Sequence, residues 1–400
     1  MYSRYRQSAI SLSILACIVS NGAMAQGESR SITPDADAVA SVQENLKHIH
    51  LPPGFKIELY AMVPGARSIA IDPTTGTAYV GTRKNTVWVL QDGGNGKASQ
   101  VTEFAPTAGF KDPNGVCFAP DGTMFVAELN RILSFTKVNS AMPVEKDVVS
   151  QGQLIPVEDE AFPHGARVCR VGPDGKLYVA IGQHYNVLPP EKYDSYYRLG
   201  MGSITRFNTD GSGREIYAHG IRNSVGLDFN PKDKTLWFTD NQTDTLGDDH
   251  PPGELNRAIK AGQDFGYPFY GGGHDRTVEY MGKMPPAGVV FPEVKLPPHA
   301  ADLGMSFYEG TSFPKKYRGG IFDAEHGSWA RKVPIGAQIM FTHLKPDGTA
   351  AGIEVFASGW LTADGQYKGR PVDVEPMKDG SLLVSDDFAS AVYRISYVGE

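Results

Sequence analysis

One pattern of apolar and polar residues recurs along this chain: an apolar segment, a turn rich in Pro, Asp and Gly, and a second apolar segment. Short apolar segments bounded by such turn residues predict β-strands joined in hairpins. Clear copies occupy residues 68–81, 115–128, 167–182, 226–240 and 372–386. The chain is therefore expected to consist of repeated strand pairs rather than of long helices.

The spacing of the copies predicts the number of units. Their turn prolines are Pro73, Pro120, Pro173, Pro231 and Pro376. The long interval before the last proline leaves room for one more unit, and residues 305–308 and 320–327 fit its two strands. Six units of about 40–60 residues predict an all-β fold, a six-bladed β-propeller formed by residues 49–400. Residues 241–300, rich in Gly, Pro and Asp, are predicted to form a long functional loop.

The amino-terminal residues predict export. Two arginines precede an apolar run over residues 9–19, and residues 23–25 offer a small-residue cleavage site. This is the pattern of a secretory signal peptide, and the run is too short for a membrane anchor. We therefore expect a signal peptide over residues 1–25, an N-terminal extension over residues 26–48, and a periplasmic or secreted protein without a membrane span.

The net charge of the chain makes some classes of binding partner improbable, and its cysteines leave open whether a disulfide forms. The formal net charge of −7 argues against nucleic acid or an anionic membrane surface as a partner. Cys17 is lost with the signal peptide, and Cys117 and Cys169 lie at matching places of successive hairpins. In an oxidising compartment they could form a disulfide. The alternative, slightly favoured from the sequence, is two small buried thiols.

Polar residues that could bind a ligand collect beside the predicted inner hairpins, where a propeller has the mouth of its channel. They are Asn114, His164, Arg167, Arg222, Asn223, Arg331 and Arg370. Several arginines at one mouth suit a ligand with several carboxylates or phosphates, because guanidinium binds such groups through paired hydrogen bonds. The alternative is that each arginine pairs with an acidic residue of the scaffold. His164, in front of the third hairpin, is the candidate general base.

A second candidate site is the acidic segment over residues 240–256. Its carboxylate, amide and backbone oxygens suit a hard cation such as Ca²⁺. The alternative is a solvated acidic loop, since the spacing matches no EF-hand.

Several phrases in a fixed order resemble the glucose/sorbosone dehydrogenase family of soluble quinoprotein sugar dehydrogenases, over about residues 50–395. They lie at residues 51–55, 113–116, 164–175, 219–223, 254–256, 266–268, 326–329 and 370–374. The ordered set is specific, although no single phrase would be. The resemblance implies a six-bladed propeller that holds pyrroloquinoline quinone (PQQ) over its channel, with Ca²⁺ beside the quinone.

The resemblance also implies roles for individual residues, with His164 as the general base. The implied PQQ ligands are Asn114, Arg222, Asn223, Arg331 and Arg370. The implied metal ligands are Asn241, Gln242, Thr243 and Glu254, partly through backbone carbonyls. The chain departs from the family in two places, with Gly253 where an acidic residue is common and Val372 in place of one of two paired arginines. Since the sugar-recognition loops also differ, glucose is not the expected substrate.

The implied activity is oxidation of an aldose or a sorbosone-like sugar aldehyde by hydride transfer to PQQ. A separate quinone or cytochrome must then accept the electrons, because the chain has no Cys-x-x-Cys-His haem motif. Two other functions remain open from the sequence. One is a Ca²⁺-dependent lactonase-type propeller hydrolase, which needs no arginine cluster. The other is a non-enzymatic propeller that binds a protein or a sugar.

Overall fold

The computed structural model describes residues 29–160, 163–329 and 331–399. The predicted signal peptide lies outside the described residues. Helix α1 (Ala36–Leu46) begins after Asp35, whose carboxylate accepts a hydrogen bond from the Ala38 amide at 2.9 Å. The helix packs against strand β1 (Phe55–Met62), so the N-terminal extension is part of the packed structure.

The first two repeats form four-stranded antiparallel blades. Blade one contains β2 (Ala66–Ile71), β3 (Ala78–Thr82), β4 (Val87–Asp92) and β5 (Ala98–Phe104). Blade two contains β6 (Gly115–Phe118), β7 (Met124–Glu128), β8 (Arg131–Thr136) and β9 (Val144–Val149). The turn between β6 and β7 shows why the repeat carries glycine, since Gly122 has φ +86°, a conformation that residues with a side chain rarely adopt.

The third and fourth blades carry the insertions. Blade three contains β10 (Cys169–Val171), β11 (Leu177–Ile181), helix α2 (Tyr193–Leu199), β12 (Ser203–Phe207) and β13 (Glu215–His219). Blade four begins with β14 (Leu227–Phe229), β15 (Leu236–Asp240) and β16 (Gly253–Ala258). The chain then forms β17 (Gln263–Asp264), β18 (Tyr270–Gly272) and β19 (Asp275–Arg276) before β20 (Val294–Leu296) completes blade four.

The prediction of a long loop over residues 241–300 is therefore wrong in part. The segment contains the two outer strands of blade four, β16 and β20, and β17 pairs in parallel with β13 of blade three. Strands β17 and β20 have only two and three residues, and β16 begins with Gly and contains Glu, Asn and Arg, so none of them shows the apolar pattern of a strand. Only residues 241–252 connect two strands of a blade, β15 and β16, as a true loop.

The last two blades close the ring. Blade five contains β21 (Asp302–Phe307), β22 (Ile321–Glu325), β23 (Gln338–Leu344) and β24 (Ala350–Ala357). Blade six contains β25 (Pro371–Pro376), β26 (Leu382–Asp386) and β27 (Ala391–Tyr397), and β1 from the amino-terminal side is its outer strand. Each innermost strand contacts those of its two neighbours, and β25 contacts β2. The predicted six-bladed β-propeller is confirmed, and the repeated hairpins are the inner strand pairs.

The innermost strands also show whether the two cysteines form a disulfide. Cys117 on β6 and Cys169 on β10 form a disulfide between adjacent blades, with their Cα atoms 5.7 Å apart. The slight preference for free thiols is therefore wrong, because matching positions on neighbouring inner strands face each other at the blade interface. Among the described residues, no helix has the length and apolar character needed to cross a membrane.

Candidate functional site

A cavity of about 510 Å³ opens where the chain enters and leaves the inner strands. Residues from blade one, from blades three to five and from the loop after β15 line it. It brings together five of the residues predicted from the sequence, His164, Arg222, Asn223, Asn241 and Gln242. Residues far apart in the chain thus meet at one mouth, as expected for a propeller.

His164 is held so that one ring nitrogen remains available to a ligand. Its Nδ1 lies 2.5 Å from the backbone carbonyl oxygen of Gln183. A carbonyl can only accept a hydrogen bond, so Nδ1 carries the proton and Nε2 has a free lone pair. Burial, and then the charge of Arg222, lowers the pKa of His164 to about 4. The imidazole is therefore neutral at pH 7 and can act as a base.

Asp240 positions the backbone of Arg222 and Asn223. The amide of Arg222 donates to Oδ2 at 3.0 Å and the amide of Asn223 donates to Oδ1 at 2.7 Å. Asp240 is fully buried at the end of β15, and its carboxylate reaches the segment that leads from β13 to β14. The backbone of Arg222 and Asn223 is thus fixed by the last residue of β15.

The Arg222 side chain joins two loops at the cavity wall. Its Nε and Nη2 donate to the backbone and side-chain oxygens of Asn186 at 2.9 and 3.0 Å, and its Nη1 donates to the Asn241 carbonyl at 3.1 Å. Asp244 lies 3.4 Å from Nη2. Because most of its donors are engaged by protein, Arg222 organises the cavity as well as contributing positive charge.

The structure adds two arginines that the sequence did not single out. Arg67 and Arg83, both from blade one, line the cavity with Arg222. Burial and then the charge of Arg67 lower the pKa of Arg83, so the two guanidinium groups lie close enough to repel. Arg67 immediately precedes the first repeat, as Asn114 precedes the second. The rule applied to the later blades would therefore have found it.

Arg67 also belongs to a hydrogen-bonded chain that reaches a second cavity histidine. Its Nη1 donates to Asp387 at 2.9 Å, and the other oxygen of Asp387 lies 2.8 Å from Nε2 of His326. Although burial opposes it, the hydrogen bond from His326 and the charge of Arg67 lower the pKa of Asp387. Asp387 therefore stays ionised and fixes both cavity side chains.

Three of the predicted cofactor ligands do not appear among the described residues that line the cavity. Asn114 donates to the Arg167 carbonyl at 2.8 Å and accepts from Arg67 at 3.1 Å, so it joins neighbouring blades. Arg370 donates to the backbone oxygens of residues 326–328 and lies over the Tyr367 ring. It therefore positions the segment that carries His326 rather than lining the cavity.

Arg331 is the third of these residues, and it fastens the loop between β15 and β16. Its Nη1 donates to the carbonyl of Asp248, and its Nη2 lies 3.2 Å from the Asp249 carboxylate. His299 holds the same loop through the carbonyls of Gly247 and His250, at 2.9 and 2.8 Å. The loop next to the cavity is thus clamped from the blade-five side.

The predicted metal ligands divide into two groups. Asn241 and Gln242 line the cavity, and Oε1 of Gln242 is buried without a hydrogen-bond partner among the described residues. Thr243 instead donates to the Gly271 carbonyl, and Glu254 accepts from Asn256 and from the Gly273 amide.

Thr243 and Glu254 are therefore engaged in the protein's own hydrogen bonds outside the cavity lining. Burial, and then the nearby charge of Asp240, raises the pKa of Glu254. No group of three or more His, Cys, Asp or Glu that could hold a metal is found within residues 29–160, 163–329 and 331–399. A cation at this cavity would consequently depend on amide and carbonyl oxygens and on single carboxylates.

Comparison with known proteins places this site in a family. A model of the family described as Glucose / Sorbosone dehydrogenase matches residues 146–325, which include His164 and Arg222. A protein of Borreliella burgdorferi, described as an uncharacterized protein, is 31% identical over 380 residues, covering 92% of this chain and 94% of that protein.

Two solved structures share the fold. One is the calcium structure of a Trichoderma reesei enzyme of Carbohydrate-Active Enzymes Family AA12, with TM-score 0.71 and 19% identity, covering 88% of this chain and 97% of that one. The other is the holo form of the PQQ domain of pyranose dehydrogenase from Coprinopsis cinerea, with TM-score 0.70 and 18% identity, covering 87% of this chain and 97% of that one. At these identities the likeness concerns the fold.

The fold is a six-bladed propeller, and its cavity is lined by arginine side chains and a neutral histidine. The chain belongs to the glucose/sorbosone dehydrogenase family, a family of sugar oxidoreductases. The resemblance noted in the sequence is confirmed.

Proposed function

We propose that this protein is a PQQ-dependent dehydrogenase that oxidises an aldose or a sorbosone-like sugar aldehyde. The observation that carries the proposal is the position of His164, a neutral imidazole with an available Nε2 in a cavity lined by three arginines. PQQ has three carboxylates, and guanidinium groups are the side chains best suited to bind them. Arg67, Arg83 and Arg222 supply the positive charge for such a cofactor.

The cavity also fits a hard cation beside the quinone. Oε1 of Gln242 and Oδ1 of Asp302 both belong to lining residues, and both atoms are buried without a hydrogen-bond partner among the described residues. Buried polar atoms of proteins almost always have partners, so orphaned oxygens point to a missing one. Oxygen atoms are the ligands that Ca²⁺ prefers. The backbone oxygens of residues 241–243 are the further candidates.

His164 would begin the reaction. Nε2 accepts the proton of the hydroxyl group on the sugar carbon that is oxidised, while the Gln183 carbonyl keeps the ring in this orientation through Nδ1. Bound PQQ supplies the acceptor for the hydride that leaves that carbon, with Ca²⁺ as a Lewis acid. A cyclic aldose gives an aldonolactone, and an aldehyde hydrate gives an acid. The lowered pKa of His164 keeps the base neutral throughout the neutral pH range.

The cell compartment and the electron partner complete the proposal. We infer that the protein is exported to the periplasm or beyond, because it has the sequence pattern of a signal peptide and a disulfide between Cys117 and Cys169. A separate quinone or cytochrome would take the electrons from the reduced cofactor.

Reconstitution tests this function. PQQ and Ca²⁺ are added to the apo-protein, and reduction of an artificial electron-accepting dye is followed with a panel of aldoses and sugar aldehydes. We expect dye reduction that requires the quinone, the cation and a sugar together. Hydrolysis of lactones without PQQ would instead favour a lactonase-type hydrolase. Sugar binding without any turnover would favour a binding module, and either result would contradict the proposal.

A further inference from the structure

We propose that Asp302, at the start of blade five, supplies the carboxylate that holds the cation of this cavity. The carboxylate takes the place that a side chain at position 253 of blade four would occupy. The inference rests on the proposed function for the role of the cation, and it concerns which residue of this chain provides the negative charge.

The packing of Gly253 against Asp302 is the first observation. Gly253 is the first residue of β16, where the backbone would accept any side chain. A Cβ atom at this position would lie 1.7 Å from Oδ2 of Asp302 and 2.9 Å from its Cγ. No side chain can share that volume, so the glycine is explained by the carboxylate that fills the space. Both residues line the cavity, which places this carboxylate at the cavity wall.

The second observation is an orphaned oxygen. Asp302 is 1% exposed, and its Oδ1 has no hydrogen-bond partner among the described residues. An ionised carboxylate oxygen can accept but not donate, so its burial is compensated by a hydrogen-bond donor, by a cation or by a proton on the acid. Asn223 and Gln242, which also line the cavity, each have a buried side-chain oxygen without a hydrogen-bond partner among the described residues. These three oxygens are part of the six to eight that Ca²⁺ takes, and backbone, cofactor or water oxygens would supply the others.

A hydrogen bond holds the two strand ends together. Nδ2 of Asn241 donates to the Asp302 carbonyl at 2.6 Å and to the Asn223 carbonyl at 3.2 Å. Asn241 precedes Gln242, so this amide fixes the start of blade five beside the loop that carries the other orphaned oxygen. The position of Asp302 is therefore built into the backbone of three segments rather than left to a mobile side chain.

A matched pair of variants tests the proposal. Asp302→Asn keeps the shape and removes the charge. Asp323→Asn does the same to a carboxylate of the same blade that is equally buried, also unpartnered, and not part of the cavity lining. Ca²⁺ is titrated calorimetrically into the apo-protein and into the PQQ-loaded protein. Circular dichroism and thermal melting without metal confirm that each variant is folded.

We expect Asp302→Asn to weaken Ca²⁺ binding by at least about 10- to 100-fold, the loss seen when only a partner that orients a metal ligand is removed. Asp323→Asn should lose much less affinity, because Asp323 is outside the cavity lining and acts on Asp302 only through its charge. Unchanged affinity in Asp302→Asn would overturn the proposal. Equal losses in both variants would also overturn it, since they would show a response to the overall charge of blade five.

A swap of the carboxylate provides a second test. In Asp302→Ala the atoms that exclude a side chain at position 253 are gone, and the nearest remaining atom is Cβ of Leu296 at 3.3 Å. The double variant Asp302→Ala/Gly253→Asp should therefore bind Ca²⁺ more tightly than Asp302→Ala. No gain in the double variant would contradict the idea that the two positions share one carboxylate site.

The calorimetry separates this inference from the proposed function. Ca²⁺ binding through Asp302 in a protein that binds no PQQ would support the inference and contradict the proposed function. Wild-type protein that binds PQQ and oxidises sugars, with unchanged Ca²⁺ affinity in Asp302→Asn, would support the proposed function and contradict the inference.

Discussion

The Nδ1 atom of His164 lies 2.5 Å from the backbone carbonyl oxygen of Gln183, and this contact decides which nitrogen of the ring can act as a base. Gln183 follows β11, and its backbone amide donates to the Arg222 carbonyl at 3.2 Å. The orientation of the imidazole is therefore tied to the segment that carries Arg222 and Asn223. His164 and the cavity wall that carries Arg222 and Asn223 are therefore parts of one hydrogen-bonded framework.

Replacement of the base is the first prediction. His164→Gln should lower turnover of the reconstituted enzyme by about two to four powers of ten, the usual contribution of general-base catalysis. PQQ affinity should change little, because the substitution leaves the arginines in place. Stopped-flow and steady-state rates with the best sugar measure the effect. The control is His343→Gln on β23, outside the cavity lining. Near-normal turnover in folded, PQQ-loaded His164→Gln would remove His164 from the mechanism.

The pH dependence follows from the same residue. Burial, and then the charge of Arg222, lowers the pKa of His164 to about 4, and only the neutral imidazole can accept a proton. kcat/KM should therefore be level through the neutral range and fall as the pH drops through about 4. The profile is measured with the reconstituted enzyme in buffers of constant ionic strength. An acid limb centred near 6.5, the ordinary value for histidine, would contradict the lowered pKa of His164.

Replacement of Arg67 and replacement of Arg370 should have different effects on PQQ affinity, because the two arginines have different surroundings. Arg67 lines the cavity, so Arg67→Ala should weaken PQQ binding by about 1.5–3 kcal/mol, the range for charged hydrogen bonds. It should also lower the stability of the apo-protein, because Arg67 donates to Asn114 and Asp387. Arg370 donates to the carbonyls of residues 326–328 instead. Arg370→Ala should therefore lower the free energy of unfolding of the apo-protein, by about 1–3 kcal/mol for the lost partners.

Absorbance titration with PQQ measures the affinity of each variant for the cofactor. Urea unfolding of the apo-proteins measures their stability. If Arg370→Ala lost PQQ affinity while the apo-protein kept its stability, Arg370 would be a cofactor ligand, as the sequence predicted. Unchanged PQQ affinity in Arg67→Ala would remove blade one from the binding site.

The disulfide gives a stability prediction that needs no cofactor. Cys117 and Cys169 are separated by 52 residues in the chain, and their bond joins the inner strands of blades two and three. The double variant Cys117→Ser/Cys169→Ser should lose about 2–4 kcal/mol of unfolding free energy. Urea unfolding measures the loss, and thiol titration of denatured wild-type protein should find both cysteines oxidised. Free thiols at both Cys117 and Cys169 in protein purified without a reducing agent would contradict the bond.

The repeat in the sequence was sufficient to predict the blades, because each inner hairpin repeats one local pattern of apolar strand and Pro- or Gly-containing turn. The strands β16 and β20 were missed because they are short and contain Gly and charged residues, and their pairing depends on distant neighbours. His164, Arg222 and Asn223 were found because they stand directly before inner strands. Their positions in the sequence could not show that Arg331 and Arg370 donate hydrogen bonds to backbone carbonyls.

Asp302 was missed for another reason. A single aspartate at the start of a strand has no distinctive sequence pattern, and its significance comes from Gly253, which is 49 residues earlier in the chain but adjoins it in space. The departure at Gly253 was visible in the sequence. Its compensation by a carboxylate from the next blade became visible only from the close approach of Asp302 to Gly253.

One measurement tests the central claim most directly. Apo-protein is loaded with PQQ in the presence of Ca²⁺, freed of excess quinone, and mixed without oxygen or dye with a sugar that supports turnover. We predict that the absorbance of the bound quinone changes to that of its reduced form, with one equivalent of sugar oxidised per equivalent of bound PQQ. His164→Gln should undergo the same change far more slowly. A protein that retains no PQQ after this treatment, or whose bound quinone stays oxidised with every sugar tested, would contradict the account.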